Sequence, residues 1–303
     1  MNLDELTGEI KTTKKYSSLY PPLINRICSE EFSKHKKDKE KIKAVKNRLH
    51  MIYGAFFYKN KNNLDSLNLS DSSDLSNISN INETEILNLN VSAKERLPSI
   101  DEFYKFIFDS INANENEFGE SQNKNKINSI LDIACGFNPF SLPFMQRACP
   151  LLLPNLKYYC ALDIDLQLAE ILNKYFSLKG LPELAGCTDI ISDFPNLPNF
   201  PDFPVFPANA NPVNPGQKTD VAFLFKIIPT IENCKKGRAF ELMEQIRAKY
   251  IIATFPVKTL CGKDKGMAEN YAVSFERNIN NNKFVTLAKN IIGNELIYVL
   301  AVK

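Results

Sequence analysis

Ser129-Ile-Leu-Asp-Ile-Ala-Cys-Gly-Phe-Asn-Pro139 is the stretch whose reading decides the fold of this chain. A short apolar run stops at Ala134-Cys135-Gly136, and Asn138-Pro139 then opens a helix, which is a strand-turn-helix able to hold a nucleotide-like ligand. Gly136 can take a positive φ or let a ligand approach the backbone, Asn138 can cap, and Pro139 suits the first helical position. One glycine is too few for the G-x-G-x-x-G loop that seats a pyrophosphate on a helix N-terminus. The turn therefore fits an adenosine ligand without phosphates, S-adenosylmethionine (SAM), better than NAD or ATP.

Working downstream, residues 157–163 (Lys-Tyr-Tyr-Cys-Ala-Leu-Asp) read as a second strand ending in a carboxylate. In doubly wound sheets such a carboxylate accepts hydrogen bonds from ribose hydroxyls. A third strand is expected near 187–191, leading to Asp193 and Phe194, which suit the edge and face of an adenine. A fourth, 220–225, ends in Lys226-Ile-Ile-Pro229. Helices are expected around 166–179, 235–248 and 268–277, and strands at 250–255, 283–288 and 295–302. This βα alternation predicts an α/β, doubly wound, mainly parallel sheet with helices on both faces, whose strand ends bind the ligand. This α/β domain then spans 127–303.

Working upstream, Leu23, Ile24, Ile27 and Phe32, then Ile42, Val45, Leu49 and Ile52, recur at helical spacing, as do Leu97, Ile100, Tyr104, Ile107 and Phe108. Residues 1–110 thus form an N-terminal helical extension. Residues 11–50 hold twelve Lys or Arg against four acids, a basic block that suits either a polyanion-binding face or a solvated helix surface. The Asn- and Ser-rich segment 60–91 reads as a poorly ordered or weakly helical insert, and 112–128 as a polar spacer. Prolines at 195, 198, 201, 204 and 207 recur every third residue with phenylalanines between them, a stiff polyproline-like insert within 195–217.

The 303 residues, with 44% hydrophobic content and a net charge of +2, can bury a sizeable core. The seven cysteines form no C-x-x-C pair and read as free thiols in a reducing compartment. Two histidines, neither near a cysteine, assemble no metal site in the sequence pattern. No basic, apolar leader and no run approaching the ~20 apolar residues of a membrane span is present, so a cytoplasmic, monomeric protein is expected.

The motifs Leu131-Asp-Ile-Ala-Cys-Gly-Phe-Asn-Pro139, Phe225-Lys-Ile-Ile-Pro229 and the run 255–271 (Phe-Pro-Val-Lys-Thr-Leu-Cys-Gly-Lys-Asp-Lys-Gly-Met-Ala-Glu-Asn-Tyr) resemble the aminoglycoside-resistance 16S ribosomal RNA methyltransferases. Lys14-Lys-Tyr16, Arg48-Leu-His50 and Lys94-Glu-Arg-Leu97 are similar to that family too. The resemblance implies a SAM-dependent methyltransferase that modifies N7 of guanine 1405 within an assembled 30S subunit. Guanine N7 holds a lone pair and no proton, so positioning replaces general-base catalysis.

On this reading Gly136, with Ala134, meets the methionine part of the cofactor, and Asp163, with Ile164, the ribose. Asp193 and Phe194 meet the adenine. Arg96, beside Ser92, is the candidate for the SAM carboxylate through its bidentate fork. Phe225 and Lys226 sit where the methyl emerges, Lys226 as a positioning group for guanine O6 or a phosphate. Lys14, Lys15, Arg48 and Lys94, with Lys258, Lys263 and Lys265 in the late loop, are candidates to neutralise phosphates. Tyr271 or Phe275 either stacks on a displaced base or belongs to the core. The same residues also allow a methyltransferase acting on another RNA site or a small molecule, and a non-catalytic ribosome-binding relative.

Overall fold

The structure, a computed structural model, describes residues 1–54, 82–117, 127–193, 218–258 and 266–303. The proline-rich insert, Phe194, Lys263, Lys265 and Cys261 lie outside the described residues.

Seven strands form one sheet in the order β3-β2-β1-β4-β5-β7-β6. They are β1 (Ser129–Ile133), β2 (Tyr158–Asp163), β3 (Ala185–Cys187), β4 (Thr219–Phe225), β5 (Ala248–Pro256), β6 (Phe284–Ile292) and β7 (Glu295–Val302). The first five run parallel, whereas β7 inserts antiparallel between β5 and β6. Gly293, at φ 57, sits in the tight turn that makes this closing hairpin.

Both faces of the sheet are covered, which is why β4 and β5 read as nearly unbroken apolar runs. Alternate residues go to opposite faces. Val221, Phe223 and Ile252 enter a core with helices α6 (Ile100–Glu117) and α9 (Leu166–Leu178). Ala222, Leu224 and Ile251 enter a second core with α11 (Arg238–Gln245) and α12 (Met267–Asn278).

The N-terminal helices α1 (Leu3–Thr12), α2 (Pro21–Phe32) and α3 (Asp38–Leu49) bury a third cluster that includes Leu23, Ile24, Ile27, Val45 and Leu49. α1 begins with a capping box, Asn2 and Glu5 each accepting the other's backbone N–H. This bundle is stitched to the end of β2. The Tyr20 N–H donates to the Ile164 carbonyl at 2.8 Å, and the Leu166 N–H to the Ser18 carbonyl at 2.8 Å.

Within the segment 60–91, residues 82–91 take the helical alternative: they carry helix α4 (Glu83–Leu87), whose Ile86 and Leu87 are buried, and the start of α5 (Val91–Arg96). Three expectations are corrected. Helix α6 runs to Glu117, into the supposed polar spacer. The third strand ends at Cys187, where it was expected to begin. The helix expected at 235–248 is the shorter α11, and an unexpected helix, α10 (Ile228–Cys234), precedes it; Gly237 takes φ 81 between them, and Glu232 caps α11 by accepting from the Gly237 and Ala239 N–H groups, both at 2.8 Å. The remaining helices, α7 (Leu142–Ala148) and α8 (Leu152–Asn155), connect β1 to β2.

Candidate cofactor cavity

A cavity opens where β1, β2 and β4 end. Its walls include Ala134, Gly136, Asp163, Asp189, Phe225 and Lys226, and the N-terminal helices close it with Leu23, Arg26, Ile52 and Tyr53. Of the residues expected to bind cofactor, Ser92, Arg96, Ala134, Gly136, Asp163, Ile164 and Phe225 all line it, as does Lys226.

Sharp backbone turns make this wall. Gly136 takes φ 49, and two residues with side chains, Ala134 (φ 55) and Lys226 (φ 57), are also left-handed. An L-residue pays about 1–2 kcal/mol for that conformation, and such strain concentrates at ligand sites. Asp163 ties the first turn to β2. Its Oδ2 accepts the Gly136 N–H at 2.8 Å and its Oδ1 the N–H groups of Ile164 at 2.7 Å and Asp165 at 3.3 Å. A carboxylate has about four acceptor positions, so one on Oδ2 remains for a ligand. Burial pushes the Asp163 carboxyl up to about 6 against the pull of these donors.

Asn138 does not cap the helix that follows. It is buried, donating to Asp132 at 2.8 Å while its Oδ1 accepts from Arg96 Nη1 at 2.9 Å and the Tyr104 hydroxyl at 2.6 Å. Asp132 Oδ2 also accepts the Tyr159 hydroxyl at 2.8 Å, yet its buried Oδ1 has no partner. Burial raises the Asp132 carboxyl to about 7. The folded chain therefore keeps this proton between pH 4 and pH 7, where the unfolded chain, at 3.8, has released it. Unfolding becomes easier as pH rises through that window. Asp132→Asn should flatten this slope. In thermal melts the variant should gain on the wild type from pH 5 to pH 8; parallel melting curves across that range would refute the assignment.

Arg96 does not offer a free fork to the cavity. Its Nε and Nη2 bind the two oxygens of Glu295 at 2.8 and 3.1 Å, and its guanidinium lies 4.5 Å from the Phe103 ring and 4.6 Å from that of Phe225. Lys226 likewise points its Nζ at Glu95 (2.9 Å) and Glu295 (3.4 Å). Although burial opposes the charged form, Arg96 and Lys226 hold the Glu295 carboxyl below its ordinary value. The carboxylate that takes the Arg96 fork is thus the chain's own.

Asp193 is also reassigned. It accepts from the Thr188 hydroxyl at 3.0 Å and the Asp189 N–H at 2.8 Å, fastening a turn outside the cavity wall. Because β3 stops early, the residues after it that reach the cavity are Thr188, Asp189, Ile190 and Ile191. Asp189 is 2% exposed and forked by Arg26, whose Nε and Nη2 lie 2.6 and 3.1 Å from its two oxygens. The sequence carried a signal for Asp189, an acid just past an apolar run, but none for Arg26 or Tyr53, which arrive from a separate bundle. Tyr53 donates to Asp165, the residue that caps α9.

The candidates for RNA contact separate by exposure. Lys14, Lys15, Lys94 and Lys258 are exposed, with Lys15 Nζ 3.1 Å from His50 Nδ1. Arg48 is half-buried, its Nη1 paired with Glu30 and Glu31. Phe275 is corrected to a core residue, 1% exposed and packed on Phe240, Phe255 and Tyr298. Tyr271 stacks on Phe255 at 5.4 Å and is half-buried. Burial pushes the thiols of Cys135 and Cys160 up, away from nucleophilic use. Among the described residues no group of three or more His, Cys, Asp or Glu is placed to hold a metal ion. Nor is any described helix long and apolar enough to cross a membrane.

A family model described as "Ribosomal RNA methyltransferase (FmrO)" matches residues 12–199 and 208–299. The 16S rRNA (guanine(1405)-N(7))-methyltransferase of Serratia marcescens is 29% identical over 300 residues, covering 99% of this chain and 98% of its own. That of Proteus mirabilis is 26% identical over 316 residues, covering 99% and 97%. Among solved structures, the 16S rRNA methylase RmtB matches with a TM-score of 0.69 at 25% identity, over 100% of this chain and 99% of that one. RmtF, solved in complex with S-adenosyl-L-homocysteine, matches with a TM-score of 0.71 at 24% identity over 100% of both. Because the match runs through the N-terminal bundle and the sheet alike, this chain belongs to the FmrO family of ribosomal RNA methyltransferases.

Proposed function

We propose that this protein transfers a methyl group from SAM to N7 of guanine 1405 of 16S rRNA in the 30S subunit, acting as a monomer and conferring aminoglycoside resistance. The full-length likeness to relatives named for that reaction carries the reading. The cavity supports it, since two carboxylates, Asp163 and Asp189, keep open acceptor positions among apolar groups such as Ile164, Leu168 and Ile190. That combination suits a nucleoside with hydroxyls and an amine and does not suit a phosphate.

SAM, when bound, supplies a methyl on a positively charged sulfur, which the N7 lone pair takes while the bonding pair stays on sulfur. Asp163 holds a ribose hydroxyl, and Asp189 with Ile190 the adenine. Phe225 and Lys226, at the end of β4, face the place where guanine must arrive. With no proton to remove from N7, these groups act by alignment, which is worth several powers of ten in rate.

Exposed Lys14 and Lys15 lie away from the cavity and supply affinity for phosphates. Lys14→Glu with Lys15→Glu is expected to weaken 30S binding about tenfold or more and to reduce its salt dependence, while calorimetric affinity for S-adenosylhomocysteine stays unchanged. Loss of both affinities together would remove the division of labour. The central experiment incubates the chain and labelled SAM with 30S particles and maps the modified nucleotide. A label at any other position refutes the assignment.

A further inference from the structure

The interaction between Arg26 and Asp189 joins two parts of the chain 163 residues apart in sequence. Arg26 stands on α2 in the N-terminal bundle, and Asp189 follows β3. Every nitrogen of this guanidinium is engaged: Nε and Nη2 on the two Asp189 oxygens, Nη1 on Glu30 Oε1 at 2.9 Å. Glu30 is itself held by Arg48 Nη1. The fork is therefore fixed at both ends, and it fixes the plane of the Asp189 carboxylate.

That plane matters because of what is left over. Oδ1 of Asp189 accepts from Arg26 Nη2 and from the Ile191 N–H at 3.2 Å, whereas Oδ2 accepts from Arg26 Nε alone. Of about four acceptor positions on a carboxylate, a single one on Oδ2 stays open, and Asp189 lines the cavity. Arg26 thus sets which way the open Oδ2 position faces, and a carboxylate oxygen accepts from an amine and repels a carbonyl.

We propose that Arg26 is a positioning residue which, from the N-terminal bundle, orients Asp189 so that the cavity selects a purine with an amino group over one with a carbonyl at the same place. The inference rests on the cofactor reading above. It makes the N-terminal helices part of cofactor recognition as well as of RNA contact.

Calorimetry with two ligands tests it: S-adenosylhomocysteine, and S-inosylhomocysteine, in which the adenine amine is replaced by a carbonyl. The wild type is expected to favour the adenosine compound by about a hundredfold, as sites built to hydrogen-bond one group do. In Arg26→Gln that preference is expected to fall by about tenfold, through weaker binding of S-adenosylhomocysteine and equal or tighter binding of the inosine compound. A purely structural role would weaken both ligands by the same factor, and that result overturns the proposal. Arg26→Lys, which keeps the charge and loses the fork, is expected to hold an intermediate ratio and decides the matter if the glutamine variant does not fold. A wild-type ratio in the lysine variant overturns the proposal. Failure of the wild type to bind S-adenosylhomocysteine overturns the cofactor reading itself; binding with an unchanged ratio in the variants overturns this inference alone.

Discussion

Asp163→Ala is expected to weaken binding of S-adenosylhomocysteine by about ten- to a hundredfold, with methyl transfer to 30S particles falling in step. A hydrogen bond from a ribose hydroxyl to the open position of a charged acceptor contributes about 1.5–3 kcal/mol, and each 1.4 kcal/mol is a factor of about ten. The structure adds a second effect. The same carboxylate accepts the N–H groups of Gly136, Ile164 and Asp165, so its removal leaves backbone donors at the cavity wall without partners. A loss of about 1–3 kcal/mol in stability should accompany the loss of affinity. Asp163→Asn, which keeps one acceptor oxygen, should recover most of the stability and little of the binding. Calorimetry and urea unfolding on both variants read the two effects separately. Unchanged affinity in Asp163→Ala would remove Asp163 from the cofactor site.

Glu295→Ala carries the largest expected cost in stability, about 3–5 kcal/mol, because it strands a buried guanidinium. Glu295 is 2% exposed at its side chain and pairs with Arg96, which is 4% exposed, and with Lys226. In a chain of this size that cost corresponds to a fall of roughly 10 °C in melting temperature. Burying a charge pair brings little net gain over apolar groups of the same shape, so Arg96→Met combined with Glu295→Leu should regain more than half of the loss. Lys226 keeps Glu95 as its partner in that double variant. A shift below about 3 °C for Glu295→Ala would show that the network contributes little to folding.

The sheet was legible because its signals are local. Strands such as β1, β2, β4 and β5 are apolar runs with a turn at the end, and Gly136 and Asp163 fall where the runs break. What the sequence hid was the partner choice of charged side chains. Arg96 is a fork beside a cavity in either reading, and only the placement of Glu295, 199 residues away, decides which carboxylate takes it. Asp193 and Asp189 are both acids after the third strand; a strand that ends at Cys187 selects Asp189. Phe275 and Tyr271 share one helix, and packing against Phe240 and Phe255 separates a core residue from a half-buried one.

The closure of the cavity by Arg26 and Tyr53 has a consequence for engineering. A catalyst whose target-recognition module is an independent appendage can be retargeted by exchanging that module. Here the exchange would also remove part of the pocket's roof, so a graft onto another RNA must carry over the seam formed by Arg26, Tyr53, Asp165 and Asp189. Transplanting the basic helices without it yields a protein with a new address and no reagent.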